Sequence, residues 1–251
     1  MEVHFLTIFP EFFECAKEFG LFRIAIVRNV LSYYVHNLRD FTKDKHKTTD
    51  DAPYGGGAGM VMLVEPIVKG IEYIEENYGK QFKILTSPQG VKLDQSLAKE
   101  LSLEEKILFI PTHYEGVDER VMSYVDMEIS IGDYILSGGE IASLVILDTA
   151  LRLVEGLLHN KASLSEETFE SKLLEYPQYT RPFDFRGESV PEVLRSGNHK
   201  EIERFRKKES LRRTLLKRSD LLIKHDFTRE EKGLLKEIAE EIEELIRRIN
   251  D

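Results

Sequence analysis

The sequence holds a single cysteine, Cys15, among 251 residues. One thiol excludes an internal disulfide and any cysteine-rich metal site, and it points to a reducing, cytoplasmic compartment. Cys15 falls in an apolar helical pattern and is expected to be packed rather than reactive. Met1–Pro10 lacks a basic flank and is interrupted by Pro10, so it does not read as a secretory signal. No apolar run approaches the length needed to cross a bilayer. None of the seven histidines pair as His-x-x-x-His, so no zinc spacing exists and no metal is expected. There is no Gly-x-Ser-x-Gly elbow. The glycine run at Gly55–Gly59 is not followed by Gly-Lys-Ser/Thr, which excludes a P-loop.

What is present is a composition able to fold. Hydrophobic residues make up 41% of the chain, enough for a core, and charged residues reach 32%. Such a charge content fits a surface laced with ion pairs. The length suits one large domain, or one domain plus a smaller one. The net charge of −10 argues at first against nucleic acid, yet the charge is uneven. Lys172 to Arg218 contains 13 Lys/Arg against 7 Asp/Glu, a local balance of +6. A basic segment on an acidic chain is the footprint of a local phosphate contact, or else a solvated helix face.

The pattern of elements is organised around Glu128–Glu140. Ile129–Ile131 ends a strand, Gly132 breaks it, Ser137-Gly138-Gly139 turns again, and Glu140 opens an apolar helix running to about Val154. Strand, glycine-rich bend and helix in that order form a ligand-binding element. Two further strands, Lys83–Ser87 and Lys106–Ile110, also end in turns, Ser87–Gly90 and Thr112–Gly116. Val3–Phe9 adds another strand. Helices are expected at Phe12–Val30 with a break at Gly20, at Met60–Tyr78 and at Leu97–Leu103. Alternating apolar strands and helices predict an α/β fold with a parallel sheet. Ligands of such sheets sit beyond the carboxyl ends of the strands, so the three turns are expected to share one pocket. Residues 40–59 read as a long irregular loop, which is either a substrate loop or a mobile surface segment.

After residue 159 the character changes. The expected domains are 1–159, a linker at 160–170 and a helical domain at 171–251. The last contains a basic helix over Ile202–Leu216 and an amphipathic one over Arg229–Ile249. The polar linker is expected to order only when substrate arrives. A pocket, a basic second domain and linker carboxylates together suit group transfer to a nucleic acid by general-base catalysis.

Six segments carry a resemblance. They are Thr48–Met60, Ser87-Pro-Gln-Gly90, Tyr114–Arg120, Ser130–Glu140, Tyr179-Thr-Arg-Pro182 and Leu194–His199. In this order they resemble the signature blocks of the bacterial tRNA (guanine-N1)-methyltransferases, and they span nearly the whole chain. The resemblance implies the SPOUT class, with a deep trefoil knot in a parallel α/β sheet followed by a small all-α domain. It also implies S-adenosylmethionine as cofactor, a homodimer with active sites between subunits, and a tRNA anticodon stem-loop as substrate, methylated at N1 of guanosine 37.

By position, the resemblance places Ser87, Pro88, Thr112, Tyr114, Glu115, Gly116, Ile131, Gly132, Asp133, Tyr134, Ile135, Leu136, Gly138 and Gly139 around the cofactor. His46, Asp50, Tyr114, Arg181, Ser196, Asn198, His199, Lys207 and Lys208 are the expected substrate contacts. Arg152 is expected to stabilise charge on guanine O6, and Glu167 to act as the base, with Glu166 as its neighbour. The chain departs from the family pattern twice, with His113 where Arg is usual and Glu167 where Asp is usual. Another RNA methyltransferase of the class, acting on ribose or ribosomal RNA, and a non-catalytic tRNA-binding module are the alternatives.

Overall fold

The structure, a computed structural model, describes residues 1–157, 173–223 and 225–250. The expected linker, with Glu166 and Glu167, lies outside the described residues. The chain divides into two compact units, Met1–His159 and Asn160–Asp251.

The first unit is built on five parallel strands: β1 (Glu2–Thr7), β2 (Ser32–Asn37), β5 (Phe82–Lys92), β6 (Lys106–Pro111) and β7 (Met127–Ser130). Their order across the sheet is β2-β1-β6-β5-β7. Apolar side chains point to both faces, as a doubly covered parallel sheet requires. Ile107 and Phe109 of β6 join Phe5, Ile84 and Ile129 on one face, packed on α1 (Pro10–Ala16), α2 (Gly20–Val27), α4 (Gln95–Leu101) and α5 (Glu140–Leu151). Leu108 and Ile110 join Leu6 and Leu85 on the other, under α3 (Val64–Tyr78) and the turn at Glu119–Tyr124. The short strands β3 (Asp50–Asp51) and β4 (Val61–Met62) pair antiparallel.

Several expectations are corrected here. β2 was not legible, because Ser-Tyr-Tyr-Val-His-Asn lacks a continuous apolar run and sits at the sheet edge. The helix expected from Met60 begins at Val64, since Val61 and Met62 are drawn into pairing with β3. The helix expected to reach Val154 ends at Leu151. The turn at Ser87–Gly90 lies inside a strand as a bulge: Thr86 and Val91 both face Ile129, and pairing with β7 resumes at Lys92. Gly90 permits this, because a Cβ there would lie 2.4 Å from the carbonyl carbon of Glu128. Cys15 is exposed rather than packed. In the seven-residue α1 only Phe13 is buried, and a residue two positions on points away from it.

The described residues of the second unit comprise irregular segments, a hairpin of β8 (Asp184–Phe185) and β9 (Glu188–Ser189), and helices. Among the described residues its α-helices are α6 (His199–Lys217), α7 (Ser219–Ile223) and α8 (Arg229–Asn250). Leu211 of α6 packs with Leu234 and Ile238 of α8 and with Leu173. Asn198 caps α6, its side chain accepting from Glu201 N–H at 3.4 Å. Thr228 and Glu231 cap α8 reciprocally, at 2.7 and 3.2 Å. No helix among the described residues is long and apolar enough to cross a membrane.

At the sheet edge, β1 and β2 bring two histidines together. His4 is fully buried, and its Nδ1 lies 2.9 Å from Nε2 of His36. Tyr34 stacks on His4 at 4.8 Å between centroids. Burial lowers the pKa of His4 against the opposing pull of Glu2. Burial, then the neighbouring His4, lowers His36 from 6.5 to about 4. Both imidazoles are therefore held neutral, and the unfolded chain binds protons more readily. Stability from this pair is complete above pH 6.5 and is lost as pH falls toward 4. Urea unfolding at pH 5 is expected to show about 1–3 kcal/mol less stability than at pH 7.5. His36→Gln is expected to remove most of that difference. An unchanged pH dependence in His36→Gln would contradict the assignment.

Candidate active site

The three strands β6, β5 and β7 are adjacent and parallel, so their carboxyl ends emerge side by side. The segments that follow them, or bulge from them, enclose a cavity of about 550 Å³. Ser87, Pro88 and Gln89 form one wall. Thr112 to Gly116 form the second, and Ile131, Gly132 and Tyr134 to Gly139 form the third. The convergence expected from the sequence is thus a consequence of strand order.

Hydrogen bonds lace the walls together. Thr112 Oγ1 donates to the Thr86 carbonyl at 2.7 Å, and Gly139 N–H donates to the Thr112 carbonyl at 2.8 Å. Gly138 bridges to His113. The third segment therefore folds back onto the second before α5 begins. Only glycine fits at 139, where a Cβ would lie 2.7 Å from the Thr112 nitrogen. The amide of Ser143 and its hydroxyl both donate to the Gly139 carbonyl, at 2.9 Å each.

The first residue of α5 is Glu140, a carboxylate only 6% exposed. Its Oε1 accepts from Thr7 Oγ1 at 3.0 Å, and its Oε2 lies 2.6 Å from Nε2 of His113. Thr7 ends β1 and His113 follows β6, so one side chain ties two strand ends to the start of α5. His113, which stands where the resemblance implies Arg, thus has a definite partner.

Of the fourteen expected cofactor residues, all but Asp133 line the cavity. Asp133 is turned out to solvent and pairs with Lys92 at 2.9 Å. The structure adds Thr86, Gln89, His113, Ser130, Ser137 and Ala142 to the lining. All but Ala142, which is one turn into α5, adjoin an expected residue in sequence, and that adjacency was the available signal.

The glycine-rich segment borders the same walls. Glu115 N–H donates to the Met60 carbonyl and Met62 N–H to the Gly116 carbonyl, both at 3.0 Å. Residues 42–49 are not structureless: Asp44 accepts from the amides of His46 and Thr48, each at 3.0 Å. His46 itself is exposed. Asp50 lies against Tyr114, whose hydroxyl pKa is raised by burial and then by that carboxylate. Tyr114 is half exposed and held at φ +58°, so its ring stands at the cavity wall. Arg152 is at the far end of α5 from the cavity, separated from Gly139 by about 18 Å of helix.

The remaining expected contacts belong to the second unit. Arg181 lines a shallow depression with Tyr179, Phe183 and Arg195, whose guanidinium lies 3.8 Å from the Phe183 ring centroid. Ser196 and Asn198 shape the entry to α6, and His199 is its first residue. Lys207 pairs with Glu230 at 2.8 Å, and Lys208 with Glu237 and Glu241 at 2.9 and 2.7 Å. Glu167 and Glu166 are outside the described residues.

Residues 1–224 match the family model described as tRNA (Guanine-1)-methyltransferase TrmD. A tRNA (guanine-N(1)-)-methyltransferase of Carboxydothermus hydrogenoformans is 54% identical over 236 residues, covering 94% of this chain and 92% of the relative. One from Fervidobacterium nodosum is 50% identical, covering 94% and 95%. The crystal structure of tRNA (m1G37) methyltransferase from Aquifex aeolicus is similar with a TM-score of 0.74 and 44% identity, over 89% of this chain and 95% of that one.

If Glu140 is what joins the walls, removing it strands the buried hydroxyl of Thr7 and the partly buried ring of His113. Glu140→Ala is expected to cost about 2–4 kcal/mol in urea unfolding. The double variant with His113→Ala should show a coupling of about 1–3 kcal/mol. Additive effects of the two substitutions would show that the contact carries no energy.

Proposed function

The chain belongs to the tRNA (guanine-1)-methyltransferase family, and from that membership we propose that it transfers a methyl group from S-adenosylmethionine to N1 of guanosine 37 in tRNA. The observation that carries the reading is the three-walled cavity at the ends of β6, β5 and β7.

The cavity fits the cofactor. A volume of about 550 Å³ lies within the range of small-molecule sites. Glycines at 116, 132, 138 and 139 carry no side chain, so a flat ring can approach the backbone of the walls closely. Pro88, Ile131, Leu136 and Ala142 give the wall an apolar surface for a flat ring, and Glu115 offers a carboxylate to polar or cationic groups. The bound group supplies an electrophilic methyl on a sulfonium.

The protein's own residues then have two tasks. Guanine N1 must lose its proton as the new bond forms, and Glu167 of the linker is the base we assign by position. Charge developing on O6 must be stabilised, and Arg152 is assigned that role. Arg152 and the cavity lie at opposite ends of α5, so they do not meet within one chain. They would meet in a homodimer whose sites lie between subunits. Ile141 and Val145, apolar and 50% and 37% exposed on α5, support such a contact. The return of Gly138–Gly139 onto Thr112–His113 supports a trefoil knot, an exception to the usual chain topology. The second unit is assigned to hold the anticodon stem through phosphates, while the target base is splayed into the pocket.

Mass analysis of nucleosides from tRNA incubated with the protein and S-adenosylmethionine is expected to show 1-methylguanosine. A ribose-methylated product, or none, would contradict the reading. Glu167→Gln is expected to keep cofactor and tRNA affinity while lowering turnover about 10²–10⁴-fold. Near-normal turnover would move the base to Glu166.

A further inference from the structure

The basic segment of the second unit is divided by geometry into two classes of cation. α6 carries eight Lys and Arg side chains. Four of them, Arg204, Lys207, Lys208 and Arg212, form ion pairs with Glu230, Glu237 and Glu241 of α8. These pairs flank the Leu211–Leu234–Ile238 core and belong to the packing of the two helices. Lys208 is held between two carboxylates with its side chain only 15% exposed.

Such cations are poorly placed for RNA. A phosphate would have to displace carboxylates already within hydrogen-bonding distance. The displaced Glu230, Glu237 and Glu241 would then confront the RNA as like charges. Part of the +6 balance of residues 172–218 is therefore taken up by carboxylates of the helix that follows.

Another row on α6 is not compensated. Arg206, Arg213 and Lys217 recur at spacings of seven and four and share one face of the helix. At about 100° per residue that face is turned some 140–180° from Arg204. Among the described residues, no carboxylate lies within 4 Å of any of the three. Arg206 and Lys217 are exposed and Arg213 is half-buried. Arg206 is steered by the Tyr176 ring, 4.8 Å from its guanidinium. A row of unneutralised cations over about 16 Å of helix is complementary to a polyphosphate backbone.

We infer that Arg206, Arg213 and Lys217 form the phosphate-binding face of α6, and that Lys207 and Lys208 instead join α6 to α8. The inference rests on the proposed tRNA substrate and names which side of the helix that substrate meets. Phosphate contacts made by these residues are independent of sequence, so they set affinity and salt dependence rather than the choice of base.

The test is the affinity of the full-length protein for a tRNA transcript over a series of salt concentrations. Arg206→Ala/Arg213→Ala is expected to weaken binding about tenfold or more at low salt and to reduce the slope of log affinity against log salt by about 2. Arg206→Lys/Arg213→Lys, which keeps the charges, should restore most of the slope. Lys207→Ala/Lys208→Ala should leave the slope at the wild-type value and lower the melting temperature. A flattened slope in Lys207→Ala/Lys208→Ala with a normal one in Arg206→Ala/Arg213→Ala would overturn the inference. So would a slope moved by neither pair in a protein that binds and methylates tRNA. A wild-type protein that neither binds nor methylates tRNA would overturn the substrate reading beneath it.

Discussion

The carboxylate of Glu140 is the contact through which the cavity is held in register. It is buried where α5 begins, and it reaches both the end of β1 through Thr7 and the segment after β6 through His113. Parallel strands bring loop origins together, but they do not fix the loops against one another. Thr112, Gly139 and Glu140 do that, by hydrogen bonds that would be orphaned in pairs if any one partner were lost. A ligand entering between the walls meets backbone groups that are already oriented. Pre-organisation of this kind lowers the entropic cost of binding a small polar molecule.

The same logic separates the two units. In the first, polar groups are sequestered to shape a cavity. In the second, charge holds a small core together: Leu173, Leu211, Leu234 and Ile238 are few, and ion pairs between α6 and α8 border them. Exposed pairs contribute little individually, but a network sharing Glu237 and Glu241 among Arg204, Lys208 and Arg212 orders its members jointly. A segment that reads as an RNA footprint in one dimension is thus partly an internal interface in three.

Much of the site was legible in the sequence. The apolar runs of β6 and β7 and the glycine breaks after them carried strand, turn and helix in order, and thirteen of fourteen expected pocket residues line one cavity. Their assignment to a methyl donor came from resemblance, since spacing alone names no ligand. Asp133 lies outside the lining and pairs with Lys92, and such a loop direction depends on φ at Gly132, which is +153°. β2 was invisible because an edge strand needs apolar residues on only part of its surface. The bulge at Ser87–Gly90 looked like a turn because Pro and Gly mark both. The pairing of Lys207 and Lys208 with α8 was beyond any local reading, since their partners lie 23 to 33 residues away.

The central claim is that three segments at adjacent strand ends grip one methyl donor. Amide hydrogen exchange with and without S-adenosylmethionine tests it most directly. The account predicts slower exchange in Ser87–Gly90, Thr112–Gly116 and Gly132–Gly139 together, at the same cofactor concentration. Protection confined to other parts of the first unit, or to one of the three segments alone, would contradict it.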